Sequence, residues 1–154
     1  MAGVGTALAA VVLSGCTLTG GGWMLSSTSS GKATFGFNLT CDENGNLTGD
    51  WTYHDKAAGV DVSGFIPAEA EVPCEEGTPG GIVEIPTPYQ AQHCKEADPN
   101  DCFGVALITV DDSNTGGEPP KGDLLSIQLS GGPFDGYSNV NLVLGGNLVA
   151  TNTQ

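Results

Sequence analysis

Period-two alternation of apolar and polar side chains, broken at short intervals by glycine, constrains this chain more than any other feature. Ala33, Phe35, Phe37 and Leu39 alternate with Thr34, Gly36 and Asn38, the repeat of a strand with one buried face. Asp42, Glu43, Asn44, Gly45 and Asn46 then supply turn chemistry. Leu47, Gly49, Trp51 and Tyr53 alternate with Thr48, Asp50, Thr52 and His54, so a hairpin is predicted. Val60, Val62, Gly64 and Ile66 continue the alternation after Gly59 as a third strand. Residues 67–100 hold Pro67, Pro73, Pro79, Pro86, Pro88 and Pro99 and read as loop with one edge strand at 82–85, because proline breaks a paired ladder. Residues 103–110 are almost continuously apolar, as in a strand buried on both faces. Segments 124–129, 140–144 and 148–150 complete the set, the last two joined through Gly145 and Gly146. About seven or eight short strands and no helix of convincing length predict an all-β fold, a single antiparallel β-sandwich with a long Pro-rich insertion. Its expected core is Phe35, Phe37, Trp51, Val62, Val105, Leu107, Ile127, Leu129, Val140 and Leu142.

At the start of the chain, Leu13, Ser14, Gly15 and Cys16 close an apolar run over 4–13. That order resembles the lipobox of bacterial lipoprotein precursors, and the run is too short to span a bilayer as a helix. The resemblance implies a signal peptide over 1–15 and acylation of Cys16 as the first mature residue. The protein would then be exported and held at a bacterial membrane, at the cell surface or in the periplasm, or otherwise secreted. Residues 16–31, rich in Gly, Ser and Thr, read as a tether, which leaves 32–154 for the folded domain.

Four lysines, no arginine and 18 acidic residues give a net charge of −14, which repels phosphate backbones and excludes nucleic acid as a partner. With Cys16 taken by lipid, Cys41, Cys74, Cys94 and Cys102 remain, an even set that suits disulfides in an exported protein. Of three connectivities, Cys94 with Cys102 and Cys41 with Cys74 is favoured, since Cys94 and Cys102 bracket a polar loop short enough to bring them together. The competing arrangement is zinc held by His54, His93, Cys94 and Cys102, although a Cys-x-x-Cys spacing is absent.

A set of local motifs points to a family. Gly20-Gly21-Gly22-Trp23, Gly31-Lys32-Ala33-Thr34-Phe35-Gly36-Phe37-Asn38, Tyr53-His54-Asp55 and Gly59-Val60 occur in order. They are followed by Gly117-Glu118-Pro119-Pro120-Lys121-Gly122-Asp123, Ile127-Gln128-Leu129-Ser130 and Leu144-Gly145-Gly146-Asn147-Leu148. Together these resemble the bacterial post-COAP domain, a module of exported surface proteins, over nearly all of the mature chain. The resemblance implies an all-β exported module and brings no catalytic residues with it. Residues 67–101 stand as an insertion relative to that pattern.

Three clusters invite chemistry. Asp111, Asp112, Asn114, Glu118 and Asp123 crowd one loop and offer hard oxygen ligands for calcium, although Pro119 and Pro120 suit a rigid turn and spoil an EF-hand reading. His54 beside Asp55 invites acid–base chemistry and a small hydrolase, but successive strand residues face opposite sides. Trp23, Trp51, Tyr53, Tyr89, Phe134 and Tyr137 could stack on sugars, with Tyr89 and Tyr137 expected to be the exposed pair. No catalytic constellation stands out. The expected role is a non-catalytic surface module with a structural or interaction function, contacting other surface proteins or polysaccharide, with carbohydrate binding as the alternative.

Overall fold

The computed structural model describes residues 15–71, 82–111 and 123–153. The chain is all-β. Nine strands run β1 (Gly15–Leu25), β2 (Lys32–Cys41), β3 (Leu47–Asp55), β4 (Val60–Ile66), β5 (Ile82–Ala91), β6 (Phe103–Asp111), β7 (Leu124–Ser130), β8 (Ser138–Leu142) and β9 (Gly145–Thr153). All neighbours pair antiparallel in one sheet of order β8-β7-β6-β5-β4-β3-β2-β1-β9. In place of two stacked layers, this single sheet is curled into a half-barrel.

The connectivity forces the curl. A flat sheet of nine strands spaced about 4.8 Å apart would be about 38 Å wide, yet its outermost strands, β8 and β9, are joined only by Val143 and Leu144. Two linking residues reach about 10 Å, so the far edges have to meet. The Leu144 amide donates to the Trp23 carbonyl at 2.9 Å, which passes the chain from β8 onto β1. Aromatic–glycine pairs accompany the curvature. Trp51 stands opposite Gly64 and Tyr89 opposite Gly104. A Cβ on either glycine would collide with its facing ring, so only glycine lets these rings lie across the neighbouring strand.

The concave face is the core. Alternate residues of β2 and β3 point into it, among them Phe35, Phe37, Leu39, Trp51 and Tyr53, and Ala106, Ile108, Val110, Leu125, Ile127 and Leu129 meet them. Phe37 stacks on Trp51 with centroids 6.4 Å apart.

Several expectations are corrected. Residues 16–31 are not a tether: most of them form β1, which is paired with β2 on one side and β9 on the other and buries Leu18 and Met24. The strand at 82–85 extends to Ala91 and is not at the edge of the order. It tolerates Pro86 and Pro88 because its pairing with β4 stops after two residues, Val62 with Ala91 and Ser63 with Gln90. The Gln92 amide bonds the Asp61 carbonyl, so by alternation the donor-less nitrogens of Pro88 and Pro86 face β4, where no ladder is built. β6 is buried on one face only. Val105 is 54% exposed and Leu107 half-buried, because Gly104 must face inward beneath Tyr89 and so fixes the phase of the strand. Val140 is 51% exposed and Leu142 half-buried, since Asn139 takes the inward position in β8.

Candidate functional site

Two polar regions merit a functional reading, one inside the curl and one on its convex face. The first centres on Asp55, the last residue of β3, whose alternation aims it into the core, where it has no exposed surface. The Ser27 amide (3.1 Å) and hydroxyl (3.3 Å) donate to its Oδ2, and the Ala58 amide (3.2 Å) donates to Oδ1. The Tyr137 hydroxyl donates to Oδ2 at 2.6 Å. Burial opposes ionisation of Asp55, but donors from Ser26, Tyr137 and the Ser27 and Ala58 amides together outweigh it and hold the carboxyl below its ordinary value.

The network continues away from the carboxylate. With the Tyr137 proton committed to Asp55, the Tyr53 hydroxyl must donate to Tyr137, 2.6 Å away. Tyr53 in turn accepts from Asn139 Nδ2 at 2.8 Å. Asn139 Nδ2 also reaches the Leu25 carbonyl at 3.0 Å, and Asn141 Nδ2 donates to Asn139 Oδ1 at 2.6 Å. Burial raises the pKa of both phenols, and for Tyr137 the bond it donates to Asp55 raises it further. Both tyrosines therefore remain neutral donors. The chain of bonds ties β1, β3 and β8 together where the curled edges meet, which is a structural role.

His54 lies on the opposite face from Asp55. Its Nδ1 is 2.6 Å from Oδ1 of Asp61, its cross-strand neighbour in β4, and Nε2 of His93 is 3.8 Å from Oδ2 of the same carboxylate. The adjacent His54–Asp55 pair thus does not form, as strand geometry anticipates. Zinc on thiolates is overturned, because Cys94 and Cys102 are joined in a disulfide with Cα atoms 5.8 Å apart. Among the described residues, no three His, Cys, Asp or Glu side chains gather as a metal site. Cys41 is also disulfide-bonded, while Cys74, its expected partner, lies outside the described residues. Asp112, Asn114 and Glu118 lie outside them too. Asp111 and Asp123, the flanks of the suggested calcium loop, are half-buried at the facing ends of β6 and β7. The side chain of Cys16 is likewise outside the described set.

The aromatic expectation changes most. Tyr89 is 1% exposed, with its hydroxyl donating to the Gly131 carbonyl and accepting from the Phe134 amide. Tyr137 is half-buried and spent on Asp55. Neither is a surface platform for sugar. The exposed rings are instead Phe65 (62%) and Phe103 (48%).

These two rings flank the second region, a cleft of about 460 Å³ where β4 and β5 part. Thr52, Ser63, Gln90 and Phe103 form one row across the convex face, by successive pairing of β3, β4, β5 and β6. Asp50 and Phe65 begin the next row, which β5 and β6 resume with Pro88 and Val105. Between Phe65 and Pro88 the ladder is missing, and Trp51 and Tyr89 form the floor of the gap. Trp51 Nε1 bridges beneath it to Thr87 Oγ1 at 3.0 Å. Sequence reasoning missed Phe65 and Phe103, although Pro86 and Pro88 carry a signal for an interrupted ladder. No family model, curated protein or solved structure matches the chain.

Proposed function

We propose that this protein is an exported, non-catalytic surface module whose role is structural or interactive, anchored through an acylated Cys16. The observation that carries the interaction reading is the convex cleft with Phe65, Phe103 and Val105 exposed around it. Apolar side chains left exposed and grouped where the ladder between β4 and β5 is interrupted suit contact with a partner. Asp55, the carboxylate best placed for chemistry, is instead saturated by donors. The lipobox-like segment and the post-COAP resemblance support export, and both belong to this proposal. Because β1 begins at Gly15, acylation at Cys16 would seat the sheet directly on the bilayer, without a spacer.

The test has two arms. Cys16→Ala should shift the full-length protein from the membrane to the soluble fraction of its bacterial host; retention in the membrane would remove the anchor. Immobilised wild type should retain a component of envelope fractions, whether protein or polysaccharide, that Phe65→Ser/Phe103→Ser does not. Equal retention by both would remove the convex cleft as the contact face.

A further inference from the structure

We propose that the convex cleft between β4 and β5 binds a neutral carbohydrate, with a pyranose ring lying against Phe65 and Phe103 and its hydroxyls meeting Asp50, Ser63 and Gln90. The inference rests on the interaction-module reading and names the ligand for its cleft. The two phenyl rings sit on the same face, two strands and two residues apart, which places their Cβ atoms roughly 12 Å from one another. That span accommodates a sugar ring or a short oligosaccharide. An exposed aromatic face covers the apolar C–H face of a pyranose, while its edge hydroxyls need donors and acceptors close by.

The lining provides both. Gln92 Nε2 donates to Ser63 Oγ at 2.6 Å, which leaves the Ser63 hydroxyl hydrogen available to a ligand oxygen. Asp50 and Gln90 make no side-chain hydrogen bond to any described residue. The Asp50 carboxylate can accept from two neighbouring hydroxyls at once, and Gln90 can both donate and accept.

Charge and size select against other occupants. No lysine or histidine is among the described lining residues, and the chain carries −14 overall, so phosphates, uronates and acidic peptides are repelled. A peptide strand added to the gap would find no donors at Pro86 and Pro88 on the β5 side. Phe65, Phe103 and Val105 together expose on the order of 300 Å², against about 800 Å² that each partner of a stable dimer covers. The cleft volume of about 460 Å³ falls in the range of about 300–1,000 Å³ usual for small-molecule sites.

The experiment uses the full chain on an array of neutral gluco-, manno-, galacto- and N-acetylglucosamine oligosaccharides, followed by calorimetric titration of the best binder. Binding is expected to weaken about tenfold or more in Phe65→Ala and in Phe103→Ala, and similarly in Asp50→Asn. All three side chains are exposed, so the variants should melt within about 2 °C of wild type. Absence of binding to every neutral glycan at millimolar concentration would overturn the proposal, as would binding unaffected by the two phenylalanine variants. Concentration-dependent dimerisation lost in Phe103→Ala would overturn it in favour of self-association. Retention of an envelope protein lost in the same variants, with no glycan bound, would overturn the ligand class while leaving the interaction-module reading intact.

Discussion

Asp55 shows how a single buried charge can be held in an otherwise apolar concavity. Its carboxylate has no exposed surface and faces donors from Ser27, Ala58 and Tyr137. Because its folded pKa lies below the unfolded value, its contribution is complete above about pH 4, the ordinary carboxylate value. It is lost as pH falls through the depressed folded value. Acidification also relieves the mutual repulsion of the other carboxylates, which acts in the opposite direction. The measurement is therefore a difference: wild type should be more stable than Asp55→Asn by about 2 kcal/mol at pH 7, and the gap should narrow as the pH falls below about 4. Thermal melts of both proteins from pH 7 downward check it; a gap independent of pH would show that Asp55 is not ionised in the fold.

Among the elements, β5 and β6 depend on two devices that differ in kind. The first is the Tyr89–Gly104 pair, where an added Cβ would meet the Tyr89 ring, the Ser130 carbonyl at 2.5 Å and the Gly131 carbonyl at 2.6 Å. Two of these contacts are backbone and cannot swing aside. Gly104→Ala should therefore cost about 2–3 kcal/mol, read as a lowered midpoint in urea with an unchanged slope. An equally crowded substitution at Gly64 should behave alike, since Trp51 there has the same relation to β4. The second device is the Cys94–Cys102 bridge, separated by 8 residues, which closes the loop leading from β5 into β6. Loop-closure entropy for so short a segment predicts a loss of about 2.5 kcal/mol in Cys94→Ser/Cys102→Ser. Melting of the double variant beside wild type measures it.

For the whole molecule, a net charge of −14 is carried by a sheet whose outer strands are drawn together by the short β8–β9 link and by hydrogen bonds among β1, β3 and β8. Repulsion among the carboxylates favours opening of the curl. Raising sodium chloride from about 10 mM to about 150 mM shortens the Debye length from about 30 Å to about 8 Å. The melting temperature should rise by about 2–4 °C, equivalent to about 1 kcal/mol for a domain of this size. A flat or falling profile would indicate that the charges are already paired locally. No helix among the described residues is long and apolar enough to cross a membrane.

The amino-acid sequence by itself determined the all-β class, most of the strands and the inward face wherever apolar and polar residues alternate. The face assigned to Phe35, Phe37, Trp51 and Val62 is the one observed, because a period of two leaves a single way to bury them. The Cys94–Cys102 pairing was legible for a similar reason, since a short polar loop between two strands limits how far its ends can separate. In β6 every residue over 103–110 except Gly104 is apolar or Thr109, so alternation could not choose the phase. The demand of Tyr89 for a glycine on the facing strand decided it. Nor could local pattern reveal that Gly20, Gly21 and Gly22 lie within a paired strand, because what orders them is β2 and β9 on either side. The same holds for Phe65 and Phe103, two residues distant in sequence that flank one cleft. Only the register of β4, β5 and β6 brings them together, and that register follows from closing nine strands over one core.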